Sequence, residues 1–263
     1  MESHFTEYLQ ERIHYLKAGK GPGVILLHGL GETSVCWNNQ TQFLLNKGFQ
    51  LIIPDFPGSG KSTLNAPEDL TIEKMAMIVH HIIIQEKLLQ PALLGHSMGG
   101  YVALKYLQLF PNDIGALGLI HSTAYADTAE KKAVRNKSIS FINQHGIEAY
   151  LPASISSLFK DENLDLAKEL LEEAADILGN TIIQYHRAIM AREEQVATLK
   201  NCITPILIIS GKYDHTVPFT DSLAQSHLAL LTSFHLLKQS SHMGHWEESE
   251  EVNKILVDFL KRD

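Results

Sequence analysis

Short apolar runs alternate along this chain with longer stretches of helical periodicity. Residues 24–27, 51–53, 92–94, 116–120, 206–210 and 234–237 are apolar segments bounded by glycine, proline or polar residues. Runs this short and continuous predict strands buried on both faces, as in a parallel sheet covered by helices on either side. The intervening segments 71–89, 98–110 and 221–230 predict crossover helices, and 247–260 predicts a closing one. The alternation predicts an α/β fold with a doubly wound, mostly parallel sheet. One interval breaks the rhythm: residues 122–204 hold helical patterns at 131–145, 164–178 and 181–194 and no strand, with Pro152 and Gly179 as breaks.

Composition narrows the possibilities. The 263 residues suffice for one large α/β domain or two small ones, and 44% hydrophobic with 20% charged residues excludes disorder and a simple coiled coil. The net charge of -8, without a long basic run, argues against nucleic-acid binding. Cys36 and Cys202 are too few for a disulfide framework and predict packing roles in a reducing compartment. The opening residues lack a basic then apolar leader, and no apolar run approaches the ~18 residues of a membrane helix, so the expectation is a soluble cytoplasmic protein without a membrane partner.

The chemistry starts at Gly95-His96-Ser97-Met98-Gly99, which fits Gly-x-Ser-x-Gly between a strand and a helix. A serine hydroxyl is a poor nucleophile at neutral pH, so it needs a histidine to take its proton and an acid to orient that histidine. Asp214 stands just past the run 206–210, and His242 and His245 follow the run 234–237. Loops at the carboxyl ends of parallel strands are where such folds gather their active sites. Two other patterns fail. Gly60-Lys61-Ser62 would need glycine at position 55 to be a phosphate loop, and Asp55 stands there. The pairs His80-His81 and His242/His245 lack a third partner at a metal-ligand spacing.

These motifs resemble those of the α/β-hydrolase fold superfamily, and the resemblance spans the chain. It rests on His28-Gly29, on Asp55-x-x-Gly58-x-Gly60-x-Ser62, on the serine turn at Ser97, on the Gly-x-x-Asp turn ending at Asp214, and on His242-x-x-x-x-Glu247. It implies an α/β-hydrolase core domain from 1–121 and 205–263 and a helical cap, or lid, from 122–204. It implies His242 as the base, with Glu247 at the family's spacing and Ser241 where the family has glycine, and leaves His245 at the surface or pocket rim. Asp214 is then the acid, since His121-Ser122-Thr123, the other position used in the family, offers no carboxylate. The backbone N–H groups of Leu30 and Met98 would form the oxyanion hole.

The expected activity is that of a serine hydrolase acting on a small carboxylic ester or lactone through an acyl-enzyme, with no cofactor and no metal. The cap residues Ile139, Ile142, Leu158, Phe159, Ile183 and Ile189 would line an acyl pocket. One alternative is carbon–carbon bond hydrolysis of a vinylogous diketone. Trp246 favours it, with Arg192 meeting a substrate carboxylate, but His28-Gly29-Leu30-Gly31-Glu32-Thr33 departs from the His-Gly-x-Gly-Pro-Gly of such enzymes. A slow-turnover ligand receptor retaining the triad is another.

Overall fold

A computed structural model describes residues 1–173 and 179–261. Its strands are β1 (Glu2–Tyr8), β2 (Glu11–Ala18), β3 (Gly23–Leu27), β4 (Gln50–Pro54), β5 (Ala92–His96), β6 (Ala116–Ile120), β7 (Ile206–Gly211) and β8 (Thr232–Leu237). They form one sheet in the order β1-β2-β4-β3-β5-β6-β7-β8. Strands β3 to β8 pair in parallel, whereas β2 runs antiparallel to both β1 and β4.

The alternation of side chains along each strand explains why the runs are apolar throughout. Ile25, Leu27, Ile52, Leu93, Ile206 and Ile208 enter one core, while Val24, Leu26, Leu51, Leu94, Leu207 and Ile209 enter the other. Helices α2 (Ile72–Glu86) and α3 (Met98–Leu109) cover the first face. Helices α1 (Asn38–Asn46) and α11 (Ser249–Leu260) contact each other over the second. The fold is thus the expected doubly wound α/β sandwich.

Between β6 and β7 the chain forms α4 (Ala129–His145), α5 (Ile147–Ser156), α6 (Leu164–Glu173), α7 (Gly179–Ala191) and α8 (Val196–Asn201). The helix expected over 164–178 is seen to Glu173, and 174–178 lie outside the described residues. Pro152 does not break the chain as predicted but sits inside α5, where Leu151 and Ile155 are buried. Gly179 opens α7. Helix α8 packs on α3. Helices α9 (Phe219–Gln225) and α10 (Gly244–Glu247) complete the set after β7 and β8.

Candidate active site

Ser97 lies between β5 and α3 with φ 48° and ψ -112°, a backbone that side-chain-bearing residues rarely adopt. Its neighbours explain why the turn is tolerated. A Cβ on Gly95 would meet the backbone of Gly99 at 2.3 Å, and one on Gly99 would meet Leu27 O at 2.3 Å. Only glycine fits at both positions, which gives the motif its spacing. Ser97 N–H donates to Ile120 O (2.9 Å) and Ser97 O accepts from Ser122 Oγ (2.8 Å), fixing the turn to β6 and the residues after it.

A chain of hydrogen bonds leads away from this serine. Ser97 Oγ is 2.9 Å from His242 Nε2, and His242 Nδ1 is 2.9 Å from Asp214 Oδ2. Thr216 and Val217 N–H groups donate to Asp214 Oδ1, each at 2.9 Å. His121 Nδ1 also meets Asp214 Oδ2, at 3.0 Å. Burial alone would raise the Asp214 pKa, but the attraction to His242 when that ring carries a proton on both nitrogens, together with the bonds from both imidazoles, holds it well below the usual carboxylate range. A carboxylate only accepts, so the His242 proton sits on Nδ1 and the Nε2 lone pair faces the Ser97 hydroxyl. Glu247 braces the His242 loop by accepting from Ser241 N–H (2.7 Å), Lys160 N–H (2.9 Å) and Asn163 Nδ2 (2.8 Å).

Behind the serine lies a pair absent from the sequence reading. Glu32 and His96 are both fully buried, with His96 Nδ1 at 2.9 Å from Glu32 Oε1. Gly29 N–H donates to Glu32 Oε2 (2.6 Å), and His96 Nε2 donates to His242 O (3.0 Å). Both ring nitrogens of His96 face groups that only accept, so His96 is an imidazolium. Burial would lower its pKa, and the Glu32 carboxylate more than reverses that. The ion pair ties the loop after β3, the serine turn and the His242 loop into one unit. Its signal was a lone glutamate in a glycine loop and a histidine inside the serine motif, two residues whose meaning depends on each other.

His245 is not the surface residue the sequence implied. It is 0% exposed, its ring packs on Trp37 and His96, and burial pulls its pKa well down. His28 has a structural role: Nδ1–H donates to Gly29 O (2.8 Å) and Nε2 accepts from Phe56 N–H (2.9 Å). Among the described residues two clusters, His121–Asp214–His242 and Glu32–Cys36–His245, bring ligand-type atoms within 4.8 Å of one another. The carboxylates of both accept from the N–H donors described above.

Ser97 and His242 line a cavity of about 770 Å³, together with Leu30 from the loop after β3. Met98 opens α3, where its N–H has no intrahelical acceptor. The apolar wall is made by Val134, Phe141, Leu151, Ile155, Leu158 and Ile189. Of the six apolar residues expected there, only Leu158 and Ile189 are present; Ile142, Phe159 and Ile183 are core residues instead, and Ile139 packs against that core. Trp246 does not line the cavity: its Nε1 donates to Cys36 O (2.9 Å) and its ring meets Phe159 edge-on. Arg192 is likewise committed elsewhere, to Asp127 Oδ1 (2.8 Å) and Tyr125 O (2.9 Å), with its guanidinium 3.9 Å from the Tyr101 ring centroid.

Comparison with known proteins agrees with this architecture. The family described as "Alpha/beta hydrolase family" matches residues 24–255. The 2-hydroxy-6-oxo-6-phenylhexa-2,4-dienoate hydrolase of Comamonas testosteroni is 25% identical over 275 residues, covering 99% of this chain and 94% of that protein. An esterase from Exiguobacterium antarcticum superposes with a TM-score of 0.91 at 24% identity, over 99% of this chain and 100% of its own. An enol-lactonase from Burkholderia xenovorans does so with a TM-score of 0.90 at 20% identity, over 98% and 100%. At these identities the two structures share the fold.

Proposed function

The chain belongs to the alpha/beta hydrolase family, and from that premise we propose that it is a serine hydrolase acting on a small carboxylic ester or lactone. The observation that carries this reading is the linear array Ser97 Oγ–His242 Nε2 and His242 Nδ1–Asp214 Oδ2, each 2.9 Å, opening on one cavity. His242 Nε2 takes the hydroxyl proton as Ser97 Oγ attacks the carbonyl carbon. Asp214 stabilises the resulting imidazolium, and the N–H groups of Leu30 and Met98 stabilise the oxyanion, each donor worth on the order of 3 kcal/mol. The alcohol leaves with the proton from His242, and water, deprotonated by the same nitrogen, releases the acid from Ser97. The work is assigned to the cytoplasm, supported by Cys36 and Cys202 forming no disulfide; no helix among the described residues is long and apolar enough to cross a membrane.

A time course with p-nitrophenyl esters of two to eight acyl carbons tests the proposal. Sustained turnover by the wild type should fall roughly 10⁴-fold or more in Ser97→Ala. Undiminished turnover in that variant would sink the reading.

Carbon–carbon bond hydrolysis is the second reading, favoured by the similarity to the Comamonas dienoate hydrolase. The two residues that suggested it do not support it, since Trp246 and Arg192 are engaged away from the cavity. Cleavage of a vinylogous diketone much faster than of any ester would establish it. A burst of one product equivalent with almost no steady rate would favour the receptor reading.

A further inference from the structure

A second set of polar side chains lines the large cavity, supplied by the helices between β6 and β7. Asp127 is shared by two guanidinium groups: Arg135 Nε meets Oδ2 at 2.6 Å and Arg192 Nη1 meets Oδ1 at 2.8 Å. One carboxylate against two cations leaves a net positive charge. Arg192 spends its charge on a smaller neighbouring cavity and on the Tyr101 face. Arg135 lines the large cavity, and its second terminal nitrogen, Nη2, has no partner among the described residues.

A tautomer argument extends from Arg135 to a hydroxyl. Arg135 Nη1 lies 3.4 Å from His186 Nδ1, and His186 Nε2 lies 3.2 Å from Tyr150 Oη. A guanidinium has protons only to give, so His186 Nδ1 accepts. Burial first, and then the Arg135 charge, lower the His186 pKa to about 4, so the ring is neutral. A neutral imidazole that accepts at Nδ1 carries its proton at Nε2 and gives it to Tyr150 Oη. The Tyr150 hydroxyl proton is therefore not used on His186 and remains to be donated. Tyr150 and His186 both line the large cavity, as do Lys137 and Lys131, the latter 3.7 Å from Asp221 Oδ2. Among the described residues the carboxylates lining the cavity are Glu130, exposed at the surface, and Glu32, paired with His96 behind the serine.

We propose that this polar wall of the cavity, carried on helices separate from the turn of Ser97 and the loop of His242, binds a carboxylate on the substrate through the Tyr150 hydroxyl and Arg135, which shares the one carboxylate of Asp127 with Arg192. The apolar residues Val134, Phe141, Leu151 and Ile155 line the rest of the same space. The ligand class that matches is an ester whose acyl part has an apolar middle and a terminal carboxylate, that is, a half-ester of a medium-chain dicarboxylic acid. A volume of about 770 Å³ suits such a molecule. The substrate assignment rests on the serine hydrolase reading above, whereas the carboxylate site itself does not.

Two measurements separate those claims. In the first, kcat/KM is compared for the mono-p-nitrophenyl ester of suberic acid and for p-nitrophenyl octanoate. The wild type should prefer the carboxylate-bearing ester, and the ratio should fall about tenfold in Tyr150→Phe, the worth of one hydrogen bond to a charged group. Arg135→Gln should lower the ratio in the same direction. In the second, suberate binding to the Ser97→Ala protein is followed by calorimetry, which requires no turnover. Binding should weaken about tenfold when Tyr150→Phe is added. Suberate binding without ester turnover would overturn the hydrolase reading and keep the site. Preference for the octanoate ester, or a ratio and a suberate affinity unchanged by Tyr150→Phe, would overturn the site.

Discussion

At the scale of single residues, the carboxylate of Asp214 is the hub, because one oxygen takes protons from two imidazoles and the other from two backbone amides. His121 adopts φ 49° to reach it, and its Nε2 accepts from Gly244 N–H at 3.2 Å. His121→Phe keeps most of the ring's shape and deletes both bonds. A bond to a charged group is worth about 1.5–3 kcal/mol, and kcat should fall about tenfold with little change in KM. Steady-state kinetics checks this, and a wild-type kcat would remove His121 from the account. Glu32→Gln removes the counter-charge of His96 and should cost about 3 kcal/mol in urea unfolding. A loss under about 1 kcal/mol would show that the pair is not charged. Ser97, Asp214 and His242 were legible in the sequence because each sits in or beside a short local pattern. Glu32–His96 and His121–Asp214 were not, since their partners stand 64 and 93 residues apart and only the sheet order brings them together.

At the scale of elements, the serine turn is the part with least freedom. Gly99→Ala would place a methyl 2.3 Å from Leu27 O, a backbone atom that cannot move without shifting β3. The variant should lose more than about 3 kcal/mol, and a melting temperature equal to wild type would contradict this geometry. Strands β3 to β7 were readable because both their faces are buried, whereas β8, the half-buried edge strand, was readable from the apolar residues Phe234, Leu236 and Leu237. The β1–β2 hairpin was missed for the opposite reason: β1 is largely exposed and its pattern is polar. Its turn residues Leu9 and Gln10 take φ 45° and 67°, the conformation for which asparagine and glycine are the usual signal. Helix α1 carries Asn and Gln at five of its nine positions and gave no apolar periodicity. In α5 the neighbouring buried side chains overrode the local cost of Pro152.

At the scale of the whole molecule, buried histidines set the response to acid. Burial lowers the pKa of His28, His121, His186 and His245 from 6.5, to about 4 for His121 and His186. The unfolded chain therefore binds more protons than the folded one between about pH 6.5 and 4, and stability falls as pH falls through that window. His121 and His186 should each cost about 1–2 kcal/mol between pH 7 and pH 5. His96, whose pKa is raised, works the other way: its stabilisation grows as pH falls towards 6.5 and is complete below it, so it offsets part of the loss near pH 7 and none of it at lower pH. Urea unfolding at the two pH values checks the sum, and equal stabilities would refute it. The central claim concerns one oxygen atom, and an acyl group caught on it is its most direct test. Wild-type protein quenched in acid during turnover of a p-nitrophenyl ester, then digested and weighed by mass spectrometry, should carry the acyl mass on the peptide containing Ser97. Turnover with that peptide never modified would contradict the account.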